Sequence, residues 1–336
     1  MIQNYRFISL PVLVSILISC ATQSNELPSG GTKEIPGAIT RQFSFVYSLR
    51  VEPTEESLDI FLPIAQSNGQ QTITKMVIQS EVDGQVASEA RYGNKFWHAH
   101  IPDGLSDTLE ISIIYDVLRP ENSVDYRMKL DIPELTPREK ELFLSENKHV
   151  PVVGTLVDSI RQQLPLAKPQ SLEKARSIYD YVIENMEYKK IGSGWGNGDT
   201  YWACDEKYGN CTDFHALFTS LARAEQIPSR FEIGFPIPED KTGGSISGYH
   251  CWINFYLPET GWFPVDASEA RKHPDKQDIL FGNQPADRLQ FTVGRDLELG
   301  SGHKSGPLNY FIYPHLEQNG KLYSGFTRSF KYSEIG

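Results

Sequence analysis

The sequence predicts an α+β protein, with an antiparallel β-sandwich over residues 40–133 followed by a helix-and-sheet domain over residues 134–336. Three observations carry this. At roughly 100–200 residues per domain, 336 residues suffice for about two. From Arg41 to Ile132 apolar residues alternate with polar ones in short runs separated by turn residues, the period of half-buried strands. At Ile132 that period gives way to helical spacing.

Composition narrows the function classes. With 5 Trp, 16 Tyr and 17 Phe, most of the chain has the apolar mass to fold rather than remain a solvated coil. A net charge of −11 opposes non-specific binding to nucleic acid, which needs a basic face. After residue 20 no run approaches the ~18 apolar residues of a membrane-spanning helix.

Taken in order, Phe7–Ser19 is a short apolar run behind Arg6 that ends at Cys20. It is too short to span a bilayer and reads as a secretory signal over residues 1–19. Leu17-Ile18-Ser19-Cys20 resembles a bacterial lipobox, which implies cleavage before Cys20, its lipidation and a membrane anchor. Ala21 rather than Asp follows the cysteine, and by resemblance to sorted lipoproteins this favours the outer membrane, with the protein facing the periplasm. Removal of residues 1–19 takes away one charged residue, Arg6, and leaves a net charge of −12. Residues 20–39 are rich in Ser, Thr, Gly and Pro without periodicity and read as a flexible tether.

In the sandwich, Phe43–Leu49, Thr72–Ile78 and Thr108–Tyr115 are strands, with turns at Asp83-Gly84 and Gly93-Asn94. His98 and His100 share one strand face, a spacing that could suit a metal, although two exposed surface histidines are the favoured reading. Thr136-Pro137-Arg138-Glu139 is a capping box with proline at the first helical position. A second helix is predicted over Val152–Gln163 and a third after Ser171, with Ala175, Ile178, Tyr179, Val182 and Ile183 on one face. Ile191–Asn210 is a Gly- and Trp-rich loop.

Behind that loop, Phe214, Leu217, Phe218, Leu221 and Ala222 recur at helical spacing, with Asn210 as N-cap and Cys211 in the first turn. Free N–H groups and the positive helix end there favour a thiolate. Gly248–Leu257 is a strand, Pro258–Gly261 a turn, and Trp262–Asp266 a second strand. Closed as a hairpin, the pair brings Asp266 beside His250, where a carboxylate holds an imidazole's far N–H and leaves the near nitrogen for a thiol. The remaining chain completes this second domain, with strands at Leu289–Val293, Tyr310–Tyr313 and Leu322–Tyr332 and a hairpin turn at Asn319-Gly320. His273, His303 and His315 have no evident partners and are placed on the surface.

Gly209-Asn-Cys-Thr-Asp-Phe-His-Ala-Leu-Phe218, Leu221–Arg230, His250-Cys-Trp252 and Gly261-Trp-Phe-Pro-Val-Asp266 together resemble the core of the transglutaminase-like superfamily, over about residues 171–270. The resemblance implies a papain-like fold with Cys211 as nucleophile, His250 as base and Asp266 as the acid that orients it. Relatives of this kind supply a Gln or Trp upstream of the nucleophile to the oxyanion. Asp205, six residues upstream, is a carboxylate that would oppose one; Trp202 is the candidate, with Tyr201, Trp195 and Asn197 as further donors and wall packing as the alternative role.

Cys211, His215, His250 and Cys251 also suggest zinc, but adjacent strand residues face opposite ways, which separates His250 from Cys251. With Cys211 catalytic, Cys204 and Cys251 remain for a disulfide; two free thiols, or an inhibitory Cys204–Cys211 pair, are the alternatives. No residue calls for a metal or organic cofactor. The expected activity is thiol-dependent acyl transfer on a protein or peptide amide, with hydrolysis favoured over cross-linking. A non-catalytic envelope-binding protein using the same cleft is the competing reading.

Overall fold

A computed structural model describes residues 14–17, 39–168, 170–300 and 302–335. Apart from Val14–Leu17, the signal segment, Cys20 and nearly all of the tether lie outside the described residues. Six strands open the fold: β1 (Thr40–Val51), β2 (Leu58–Ile64), β3 (Thr72–Ser80), β4 (Gln85–Ser88), β5 (Lys95–Ile101) and β6 (Leu109–Pro120). Their alternation is the expected one. Phe43, Phe45, Tyr47, Leu49 and Val51 of β1, and Leu109, Ile111, Ile113, Tyr115 and Val117 of β6, all face inward. The strands pair in a register that sets Phe45 opposite Tyr115 and Val51 opposite Leu109.

Helices follow: α1 (Pro137–Leu144), α2 (Thr155–Gln163), α3 (Ser171–Asn185), α4 (Thr200–Glu206) and α5 (Cys211–Ala224). The capping box at Thr136 and Glu139 is formed. Helix α2 begins three residues later than its apolar pattern suggests, because Gly154 precedes it at φ 122°, outside helical space. The stretch read as one long loop contains α4, capped by Asp199, whose carboxylate accepts from Tyr201 N at 2.8 Å and from Trp202 N. Then come β7 (Ser229–Pro236), β8 (Gly243–Ser245), β9 (His250–Leu257), β10 (Gly261–Val265), α6 (Ala267–Lys272) and β11 (Arg288–Val293). The chain closes with β12 (His315–Gln318), β13 (Lys321–Leu322) and β14 (Phe326–Glu334).

Three larger antiparallel sheets result, beside two short two-stranded sheets. The site sheet has the order β10-β9-β7-β11 and packs against α5. The sandwich sheets are β3-β6-β1-β14-β8, with Val14–Leu17 on the outer edge of β3, and β13-β12-β2-β5-β4. The last strands therefore return to the sandwich rather than completing the second domain: β14 pairs with β1 along its length, and β12 pairs with β2. Tyr310–Tyr313 is not a strand, although it was expected to be one.

The sandwich and the site sheet share a large hydrophobic core, with a smaller shared cluster beside it, instead of holding one each. Its centre is aromatic: Phe45 of β1, Phe235 of β7, Phe291 of β11 and Phe330 of β14 pack with ring centroids 4.4–6.5 Å apart. Among the described residues no helix is long and apolar enough to cross a membrane.

Candidate active site

The first turn of α5 is over-determined by its sequence. Asn210 caps the helix, accepting from Thr212 N at 2.9 Å, and Asp213 at the third position accepts back from Asn210 N at 2.9 Å. The Asp213 carboxylate does more than cap. It also accepts from Gly196 N at 2.7 Å and Gly198 N at 2.9 Å, fastening the glycine-rich loop to the start of the helix. A Cβ on Gly209 would stand 2.4 Å from the Asp213 Oδ2, so only glycine lets the carboxylate close in. Burial pushes the Asp213 carboxyl above its usual range, against the pull of its three N–H donors.

This frame sets Cys211 at the positive end of α5, 1% exposed. His250 opens β9, close enough to the Cys211 thiol to lower its pKa. Its Nε2 lies 2.5 Å from Asp266 Oδ2, which leaves Nδ1 as the nitrogen available to sulfur. Asp266 stands one residue past β10, as the N-cap of α6. Its Oδ1 accepts from Glu269 N at 2.9 Å and Ser268 Oγ at 3.0 Å, and its Oδ2 also faces Arg288 Nη2 at 3.3 Å. The hairpin thus brings His250 and Asp266 together as the sequence suggests.

The charges are arranged to persist. Burial opposes ionisation of Asp266, but His250, His215 and Arg288 outweigh it and hold the carboxyl well below the usual range. Burial likewise opposes charge on His250, but Asp266 prevails and lifts the imidazole from 6.5 to about 9. Burial alone would raise Cys211; hydrogen bonds from Cys251 and His250 and the charge on His250 reverse this and drop the thiol well below its ordinary value. The favoured state is a thiolate–imidazolium pair.

Two neighbours join that pair. Cys251 lies beside Cys211, and its own pKa is raised well above normal by burial and by the adjacent thiolate, so it stays a thiol. His215, with burial keeping its pKa low, has Nδ1 3.4 Å from Cys251 Sγ and Nε2 3.6 Å from Asp266 Oδ1. The expected separation of His250 and Cys251 onto opposite faces therefore does not hold at Cys211. His250 is the first residue of β9, and alternation is not enforced where a strand begins. The Cys204–Cys251 disulfide is also not formed, and Cys204, Cys211 and Cys251 are all free. Cys204 lies on α4, near Tyr181 and Asp199, while Cys251 turns toward Cys211.

Trp202 does not serve the sulfur. Its Nε1 donates to Tyr208 O at 3.2 Å, and its ring packs on Gly194 and on Tyr208. Trp195 Nε1 and Asn197 Nδ2 donate to Gly192 O and Gly194 O, within their own loop, and Tyr201 and Asp205 are exposed. Tyr249 is the aromatic the sequence did not single out. It lies close enough to feel the Cys211 charge, and its hydroxyl accepts from Asn210 Nδ2 at 2.9 Å. Tyr310 supports it from behind, with ring centroids 5.6 Å apart and its hydroxyl on Gly196 O at 2.9 Å.

Asp213 stood in the quoted motif, and its capping-box spacing was a readable signal; Arg288 lies on another strand and carries none. Two groups of described residues bring three metal-type ligand atoms within 4.8 Å of one another, and Cys211 belongs to neither. One is His250, Asp266 and Glu269, where the 2.5 Å contact leaves no room for an ion between His250 and Asp266.

Residues 158–267 match the model of the transglutaminase-like superfamily. An uncharacterized protein of Haemophilus influenzae is 24% identical over 374 residues, covering 96% of this chain and 98% of the relative. The fold resembles the crystal structure of a “putative cysteine protease” from Cytophaga hutchinsonii, with a TM-score of 0.56 and 15% identity over 89% of this chain and 92% of that one. The periplasmic domain of TgpA from Pseudomonas aeruginosa is more distant, with a TM-score of 0.39 and 15% identity over 75% of this chain and 79% of that one. Residues 158–267 are thus similar to a transglutaminase-like core, set in an α+β fold of the papain-like kind.

Proposed function

We propose that the chain is a thiol hydrolase of protein or peptide amides, with Cys211 as nucleophile, His250 as general acid and base, and Asp266 as the residue that orients and charges the imidazole. One observation carries the reading: Asp266 grips the far nitrogen of the His250 imidazole at 2.5 Å, and that imidazole lies close enough to the buried Cys211 to pull its pKa down. The thiolate attacks the amide carbonyl, and the imidazolium passes its proton to the departing amine as the C–N bond breaks. The resulting thioester is attacked by water, which gives its proton to His250, and the acid leaves with the thiol regenerated as thiolate.

The oxyanion of each tetrahedral intermediate falls to the Cys211 backbone N–H, at the open end of α5, and to the Tyr249 hydroxyl, whose oxygen is held by Asn210. Water needs no second binding site, which favours hydrolysis over transfer to a lysine amine. In this reading the segment 1–19 directs export and Cys20 anchors the enzyme by lipid to the outer membrane, facing the periplasm. Cleavage there would also remove Val14–Leu17 from the edge of β3.

The decisive measurement is the pH dependence of alkylation at each cysteine, read by mass spectrometry, followed by peptide cleavage with and without an added primary amine. Rapid labelling of Cys211 at about pH 6, lost in His250→Ala, with peptide cleavage lost in Cys211→Ala, is the expected result. Labelling that stays slow below about pH 8 would overturn the enzyme in favour of a binding protein. Covalent incorporation of the amine would overturn hydrolysis in favour of cross-linking.

A further inference from the structure

A second cluster of histidines and a carboxylate lies outside the Cys211 site, where the sequence reading placed two unpartnered surface histidines. His315 and Glu317 sit two apart on β12 and so share one of its faces. The ladder with β2 sets His315 opposite Phe61 and Glu317 opposite Asp59. His303 and Ser305 come from the loop that a Leu297–Leu308 bridge closes over this strand. The loop lies tight: a Cβ on Gly302 would approach Asp59 Oδ1 to 3.3 Å. Although the sequence suggested surface positions, the side chains of His303, His315 and Glu317 are only 4%, 9% and 1% exposed.

Four polar atoms converge. Glu317 Oε1 lies 2.9 Å from His315 Nε2 and 3.5 Å from His303 Nε2. Ser305 Oγ lies 3.0 Å from His315 Nε2 and 3.4 Å from His303 Nε2. A tetrahedral zinc with bonds of ~2.0–2.1 Å has ligand atoms about 3.3 Å apart, so these separations are nearly those of a formed ligand set. The buried His303 Nε2 has only the two long contacts, both beyond the usual hydrogen-bond range.

The surroundings prepare the ligands. Glu317 also accepts from Lys304 N at 2.9 Å and Ser305 N at 3.1 Å, which fix the carboxylate. The Phe61 ring walls the cluster, 5.7 Å from His303 and 6.0 Å from His315.

We propose that His303, His315 and Glu317, with Ser305 Oγ as the fourth ligand, form a structural zinc site that clasps the 297–308 loop onto β12. The loop runs straight into Asn309 and Tyr310, which hold Asn197 O at 2.7 Å and Gly196 O at 2.9 Å in the glycine-rich loop beside Cys211. The clasp thus braces one wall of the candidate active site.

The test titrates zinc into chelator-stripped full-length chain against a chromogenic chelator, in a Cys211→Ala background that removes the competing thiolate. One equivalent of zinc should bind and raise Tm, and cobalt(II) in its place should show the visible bands of a tetrahedral site. His303→Ala and Glu317→Gln should each weaken binding by on the order of 100-fold or more and abolish the rise in Tm. His303 lies in a loop, so its variant decides the matter even where Glu317→Gln fails to fold. Absence of stoichiometric zinc binding, or unchanged affinity in His303→Ala, would overturn the site.

Discussion

Cys211 has two neighbours that lower its pKa in different ways, an imidazole that carries charge and a thiol that does not. Each predicts a separate result. Cys251→Ala removes the neutral donor but leaves the ion pair, so alkylation of Cys211 should need a higher pH while peptide cleavage survives; Cys251→Ser, which restores a donor, should recover the wild-type profile. Asp266→Asn acts on the other partner. It should lower turnover by on the order of 10³–10⁴-fold with substrate binding little changed, as when the carboxylate behind a catalytic imidazole is made neutral. The pH profile distinguishes the two. With His250 raised to about 9, the imidazolium is complete below 6.5 and disappears as pH rises through 9, so the basic limb of peptide cleavage should fall near 9 in the wild type and move toward 6.5 in Asp266→Asn. At this scale the residue types and their order were legible, because a thiol, an imidazole and a carboxylate in these blocks have few other joint uses. Cys251 was not, because side-chain alternation was applied to a residue beside a strand end.

The start of α5 is a joint between a helix and a loop, and Asp213 is its pin. Three backbone N–H groups, on Asn210, Gly196 and Gly198, end on this one buried carboxylate. Asp213→Ala leaves all three without their acceptor and should cost several times the ~1 kcal/mol of an ordinary cap. Hydrogen exchange should show Gly196 and Gly198 losing protection before the body of the helix does, whereas equal loss along α5 would mean that the residue only caps. Helix α5 itself was readable, since its apolar period and its N-cap agree. Helix α4 was missed because seven residues in a glycine-rich stretch display no period. Tyr310–Tyr313 was misread as a strand for the opposite reason: four consecutive apolar side chains look like one. Its backbone bonds instead to side chains, with Phe311 O accepting from Thr292 Oγ1 at 2.5 Å and Ile312 O from the Tyr47 hydroxyl at 3.0 Å.

Across the whole molecule, the aromatic centre joins segments from the beginning, middle and end of the sequence. Phe330→Ala removes a buried ring from that junction and should destabilise the protein by about 3–5 kcal/mol. Calorimetry should show one unfolding transition before the substitution and one after it, at a lower temperature; two separate transitions would mean that the sandwich and the site sheet fold independently. The sequence could reveal where its period changes, at residue 132, but not that strands beyond residue 315 pair with residues before 65, because a strand's own pattern does not name its partner. That long-range pairing also sets a timetable. Strand β14 lies between β1 and β8, so on a ribosome or during export residues 40–51 wait for a neighbour almost three hundred positions later. Until it emerges, one flank of β1 is an unpaired edge exposed to chaperones, proteases and other nascent copies. A chain stopped short of β14 never passes that point, whatever the condition of Cys211.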